Sequence, residues 1–149
     1  MKLKNQLKLN GFLPYQLSVL SNRISGLIAH AYDVRFGLKI PEWRVIAVLG
    51  EAPGLTASAL AQRTAMDKVA VTRAVQRLVK KGQVRRSASQ SDGRVTHLSL
   101  TAKGRRVYAE VAPVALGYEA SITEVLTAEE RQVLERVVEK LSGRLDVLE

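Results

Sequence analysis

The chain has 149 residues, 46% of them hydrophobic, and a formal net charge of +9 at pH 7, enough to bury a core in one domain or in one compact lobe with an extension. It contains no cysteine, which excludes disulfides, thiolate zinc sites, cysteine nucleophiles and cysteine redox switches. The opening MKLKNQLKLNGFLPYQL has no apolar run long enough for a secretory leader, and nowhere do about 18 uninterrupted apolar residues offer a membrane span, so a soluble cytoplasmic protein without a membrane partner is expected.

The first predicted helix runs from Leu13 to Phe36, where Leu17, Leu20, Ile24, Leu27, Ile28 and Ala31 recur at three- and four-residue intervals. Gly37 is its expected stop. Pro41 opens a second helix, PEWRVIAVLGE, with Glu42 complementing the positive end of the dipole, and Pro53 and Gly54 close it. In LTASALAQRT the expected N-cap is Thr56, with Leu55 and Leu60 at hydrophobic-staple spacing. A turn around Thr64 to Met66 leads into DKVAVTRAVQRLVKKG, which Asp67 caps and Gly82 ends. Two helices joined by about three or four residues make a helix-turn-helix candidate.

Beyond Gly82, QVRRSAS and RVTHLSL have strand character and are separated by Gln90-Ser91-Asp92-Gly93, in which the Asp-Gly pair is a strong hairpin signal. Thr101 caps a following helix that is expected to reach about Leu126 and to bend near Pro113. Thr127 and Glu130 have capping-box spacing. The helix they start carries Val133, Leu134, Val137, Val138, Leu141, Leu145 and Leu148 on one side.

The charge is localised. Residues 1 to 61 carry seven Lys/Arg against three Asp/Glu, residues 62 to 106 twelve against two, and residues 107 to 149 four against nine. A basic block of this kind is an electrostatic footprint for nucleic acid. Within it, the helix from Asp67 sets Val71, Ala74, Val75, Leu78 and Val79 on one face and Lys68, Thr72, Arg73, Gln76, Arg77 and Lys80 on the other. A solvated face would alternate acids with bases; this one has no acid. Arginine pairs with guanine edges and glutamine with adenine in the major groove, so Thr72, Arg73, Gln76 and Arg77 are the expected base readers. Lys68, Lys80 and Lys81 are the expected phosphate contacts. Arg94, near the hairpin tip, is suited to the narrow minor groove; alternatively Asp92 simply makes the turn and Arg94 is free in solvent.

The stretches LTASALAQRTAMDKVAVTRAVQRLVKKGQV and SDGRVTHLSLTAKG resemble the helix-turn-helix and the wing, with its Asp-x-Arg tip, of the MarR family. The resemblance extends from about Leu13 to the end of the chain. It implies a mainly α fold with a small β-hairpin wing, as a single domain over residues 1–149. Residues 41–106 would form a winged helix-turn-helix lobe, with residues 13–36 and 107–149 as dimerisation helices. It further implies a homodimeric transcriptional regulator, mostly repressing, that binds double-stranded DNA at a pseudo-palindromic operator. On the same resemblance Thr72, Arg73, Gln76 and Arg77 fall on the recognition helix and Arg94 at the wing tip, with Asp92 helping to orient it.

Family members commonly release DNA on binding small ligands such as aromatic acids. Here Tyr15, Arg23, His30, Trp43 and Arg44 come from the helices that would line such a crevice, each with a plainer reading as a core or surface residue. Neither His30 nor His97 has an acid at catalytic or metal-ligand spacing, and no glycine-rich phosphate loop is present, so no enzyme activity, metal or cofactor is expected. The competing readings are a non-specific or architectural nucleic-acid binder and a winged-helix module for protein interaction.

Overall fold

The computed structural model describes residues 6–149; the first five, part of the stretch read for a leader, lie outside the described residues. A 3-10 turn, Leu9–Gly11, precedes six helices and one hairpin: α1 Leu13–Phe36, α2 Ile40–Glu51, α3 Ala57–Thr64, α4 Lys68–Lys80, β1 Val84–Ala88, β2 Thr96–Leu100, α5 Ala102–Thr123 and α6 Ala128–Leu148. The chain divides into two compact units, Met1–Val114 and Ala115–Glu149. The mainly α architecture with a β-hairpin wing is the one the sequence predicts.

Local chemistry explains most boundaries in the first unit. Gly37 ends α1 in the left-handed conformation (φ 63°), its N–H donating to the Asp33 carbonyl. The Thr56 hydroxyl accepts from the Ala59 N–H at 3.2 Å and the Asp67 carboxylate from the Ala70 N–H at 2.8 Å, so both helices of the helix-turn-helix start on side-chain caps. Between them Ala65 takes φ 54°, an uncommon setting for a residue with a Cβ. Gly82 (φ 73°) follows α4 and its N–H donates to the Val79 carbonyl.

The lobe core is built from one face of each element. Val45, Ile46 and Leu49 from α2, Leu60 and Ala61 from α3, and Val71, Ala74, Val75 and Leu78 from α4 are buried together with Tyr32 from α1. The wing contributes Val84, Leu98 and Leu100, and α5 contributes Val107 and Val111. Antiparallel pairing sets Val84 opposite Leu100, Arg86 opposite Leu98 and Ala88 opposite Thr96. A further bridge joins Leu55 to Leu98, with the Leu98 N–H donating to the Leu55 carbonyl at 2.8 Å and the Gly54 N–H to the Leu98 carbonyl at 2.9 Å. The wing is thereby fastened to the α2–α3 connection, where His97 Nδ1 also donates to the Gly54 carbonyl at 2.8 Å.

Two expectations need correcting. Helix α5 ends at Thr123 rather than near Leu126, because the Leu126 N–H turns back to the Thr123 carbonyl. The hairpin connection is longer than the expected Gln90-Ser91-Asp92-Gly93: β1 ends at Ala88 and β2 begins at Thr96, so Arg94 and Val95 belong to the connecting loop. Ser89 N–H donates to the Val95 carbonyl, Val95 N–H to the Asp92 carbonyl, and the Asp92 carboxylate accepts the Arg94 N–H at 3.0 Å. Gly93 has no positive φ, which a type I′ Asp-Gly turn would need at that position.

The second unit comprises the end of α5 and all of α6. Thr127 and Glu130 form the expected capping box, Thr127 N–H donating to the Glu130 carboxylate at 2.9 Å and Glu130 N–H to the Thr127 hydroxyl at 3.1 Å. No residue of α6 is buried in the single chain, and its apolar stripe lies exposed: Val133, Leu134, Val137, Val138, Leu141, Leu145 and Leu148.

Candidate nucleic-acid interface

Burial of the α4 stripe fixes the opposite face outward. Lys68, Thr72, Arg73, Gln76, Arg77 and Lys80 are all exposed, and Arg73, Gln76, Arg77 and Lys80 line one shallow depression along the helix. Thr72 lines a second groove with Ala57, Val75, Arg86, Thr96 and Leu98, where α3, α4 and the wing meet. Arg86 was not singled out from sequence. The signal was available in the strand pattern, since a cation two residues after the inward Val84 breaks the apolar alternation of β1.

Arg94 is exposed in the wing loop, and Asp92 holds the backbone beside it through the Arg94 N–H. Asp92 therefore makes the turn, and the contact that fixes it is to the main chain of Arg94. Lys81, expected on phosphate, is instead drawn into the lobe: its Nζ donates to Glu42 Oε2 and to the Gly37 carbonyl, both at 3.0 Å. Arg77 stays exposed but places Nε 3.4 Å from Glu42 Oε1. Glu42 is itself buried, its side chain 3% exposed. Glu42 does more than complement the α2 dipole: it shares the face of Val45, Ile46 and Leu49, which points it inward.

The five residues proposed for a ligand crevice are not brought together. Tyr15, Arg23 and His30 are exposed on α1. Trp43, half-buried, packs against the core between Tyr32, at a ring-centroid distance of 5.7 Å, and Tyr108, at 6.3 Å, and Arg44 is half-buried beside it. A cleft does lie between α1 and the first part of α5, lined by Ile28, Ala31, Tyr32, Arg35, Phe36, Glu110, Val111 and Val114, with a volume of about 80 Å³. Arg35 pairs with Glu110 across it and stacks over the Phe36 ring at 5.2 Å. Burial pushes the Tyr32 phenol up to about 12, Arg44 partly offsetting the shift and Asp33 adding to it, so the ring stays neutral near pH 7. The cleft is well below the several hundred Å³ of a ready small-molecule site.

Comparison with known proteins decides what this surface belongs to. The model of the MarR family matches residues 36–95. The HTH-type transcriptional repressor Rv2887 of Mycobacterium tuberculosis is 30% identical over 134 residues, covering 89% of this chain and 93% of the relative. The chain belongs to the MarR family. It is a transcriptional regulator of that family, whose members bind DNA. The crystal structure of a MarR/EmrR family regulator from Acinetobacter sp. ADP1 superposes with a TM-score of 0.86 at 26% identity, covering 94% of this chain and 99% of that one. NadR in complex with 4-hydroxyphenylacetate shares the MarR fold at a TM-score of 0.77 and 23% identity, covering 95% of this chain and 97% of its own. Among the described residues of this MarR-family chain, no helix is long and apolar enough to cross a membrane.

Proposed function

We propose that this regulator is a homodimeric repressor that lays α4 in the major groove of a pseudo-palindromic operator and is released by a small aromatic acid. The observation that carries the DNA contact is the outward face of α4, where Lys68, Thr72, Arg73, Gln76 and Lys80 are exposed together without an acid among them. Thr72, Arg73 and Gln76 have the donors and acceptors to read base edges, and Lys68 and Lys80 the charge to hold phosphates; Arg77, expected among the readers, is instead proposed for the backbone, since its Nε lies 3.4 Å from Glu42 Oε1. Arg94, held at the wing loop by the Asp92 turn, enters the minor groove. Arg86 joins them as a backbone contact in the groove beside Thr72.

Dimerisation is supported by the apolar side chains left exposed on α1 (Leu13, Leu17, Leu20 and Leu27) and on α6, an area that isolated soluble domains seldom leave uncovered. Residues 13–36 and 107–149 are the segments proposed for it, with 41–106 as the DNA-binding lobe. A two-fold dimer sets half-sites about one helical turn apart. The effector reading draws on the aromatic-acid complex of NadR, a neighbour in fold. Its proposed seat is the α1–α5 cleft with Arg35, in place of Tyr15, Arg23, His30, Trp43 and Arg44. A ligand too large for the resting cleft has to widen it, which gives the two conformations the unequal affinities that release requires.

Selection of tight binders from random duplex DNA at about 150 mM salt, where non-specific attraction is strongly screened, tests the proposal. One inverted repeat is the expected outcome; recovery of no common motif would leave a general polyanion-binding surface. Titrating 4-hydroxyphenylacetate and related aromatic acids into the recovered complex then tests release.

Two substitutions test the assigned roles. Arg73→Ala or Gln76→Ala is expected to weaken operator binding by about 1 to 3 kcal/mol and to relax base preference at one position in each half-site. Equal weakening on every sequence would reassign the residue to phosphate. Arg94→Ala is expected to lower affinity with little change in major-groove preference, and an affinity equal to the wild type would remove Arg94 from the interface.

A further inference from the structure

Five cations lie between Asp67 and Gly82, yet the structure does not leave all five equally available. Glu42, in the first turn of α2, is buried with its carboxylate turned to α4: Oε2 accepts from Lys81 Nζ at 3.0 Å, and Oε1 lies 3.4 Å from Arg77 Nε. Lys81 Nζ has a second acceptor in the Gly37 carbonyl at 3.0 Å, and the Lys81 carbonyl accepts from Lys103 Nζ at 2.9 Å. Lys81 is thus tied at both ends.

A buried carboxylate is tolerated only while it is paired. Any phosphate that drew Lys81 or Arg77 outward would leave Glu42 desolvated and with one partner fewer, so the phosphate competes against the lobe's own anion. Sequence-independent DNA affinity grows with the number of phosphates neutralised, each contributing about 0.9 to the slope of log K against log salt. At about 0.15 M salt that slope corresponds to roughly fivefold in affinity per phosphate.

Resting on the DNA-binding reading above, we infer that Glu42 is a specificity-determining positioning residue: it withholds Lys81 and part of Arg77 from the DNA backbone and so restrains binding to non-operator DNA. Glu42 touches no DNA. Its effect is to lower the phosphate count of the recognition helix while Thr72, Arg73 and Gln76 stay exposed to read bases, which favours the operator over the excess of other sequence.

The test is the salt dependence of binding to a mixed-sequence duplex between about 50 and 200 mM salt. Glu42→Gln, nearly isosteric but uncharged, is expected to steepen the slope by about 0.9 to 1.8 and to raise non-operator affinity roughly five- to thirtyfold at about 0.15 M salt. The ratio of operator to non-operator affinity falls correspondingly. A residue serving only the fold would give an unchanged or shallower slope on substitution, and that result would overturn the inference. Lysine footprinting of the wild-type protein with an amine-reactive reagent gives an answer that does not depend on the variant folding. Lys81 should react weakly in the free protein and remain unchanged by DNA, while Lys68 and Lys80 become protected when DNA is added. A reactive Lys81 that DNA protects would equally overturn the inference. Failure of the wild-type protein to bind any duplex would instead bring down the DNA-binding reading, and this inference with it.

Discussion

Gly104→Ala is expected to cost about 3 kcal/mol of folding free energy and to lower the thermal midpoint by about 10 °C. Gly104 lies in the first turn of α5, where a Cβ would stand 2.0 Å from the Gln83 carbonyl oxygen and 3.2 Å from Leu100 Cδ2. That carbonyl is backbone and already accepts the Thr101 N–H at 3.0 Å. Thr101 adds two more bonds, donating its hydroxyl to the Gly82 carbonyl at 2.6 Å and accepting the Gly104 N–H at 3.1 Å. No rotamer change relieves the clash, so α5 has to move away from the base of the wing and give up the packing of Val107 and Val111. The same substitution at Gly117, where a Cβ would meet nothing within 4 Å, is expected to be neutral or slightly stabilising through helix propensity. Calorimetry on the two variants checks both, and a Gly104→Ala midpoint equal to that of the wild type would refute the close-packing argument.

The second large effect concerns α6. Leu141→Asp is expected to leave the chain monomeric at micromolar concentration and to weaken binding to an inverted repeat by roughly 100-fold or more, because two linked half-site contacts become one. Leu141 is exposed in the single chain along with its neighbours on the stripe. Covering such side chains stabilises by about 1.5 to 3 kcal/mol each, whereas an aspartate placed among them would be buried without a partner. Sedimentation equilibrium and gel shift report the two consequences separately. An unchanged oligomeric state would assign the stripe some other partner.

The features legible in the sequence were those determined within a few residues. Thr56, Asp67 and Thr127 each cap through a bond that spans three residues, so residue type and spacing carry the whole signal. The apolar stripe of α4 was equally plain, because a single strong period determines which side faces in. The features that escaped depend on contacts across the fold. Glu42 meets Lys81 across 39 positions, and Leu55 finds Leu98 from another element; neither residue carries a local mark of its partner. The wing loop differs in length: the strand pattern puts the connection at Gln90 to Gly93, while bonds to the Ser89 hydroxyl and the Asp92 carboxylate organise one that runs from Ser89 to Val95. For the ligand crevice, aromatic residues on adjacent helices carry no mark of which face they take, and Trp43 finds its neighbours in Tyr32 and Tyr108 against the core.

The fastening of β2 to the α2–α3 connection bears on how force travels through the lobe. The Leu55–Leu98 bridge and the His97 bond to the Gly54 carbonyl leave the ribbon little freedom to swing independently of the helices. Close-packed interiors transmit strain rather than absorb it. A push delivered at Arg94 therefore passes down the hairpin as through a lever and reaches the carboxyl end of α2, the helix whose opposite end carries Glu42.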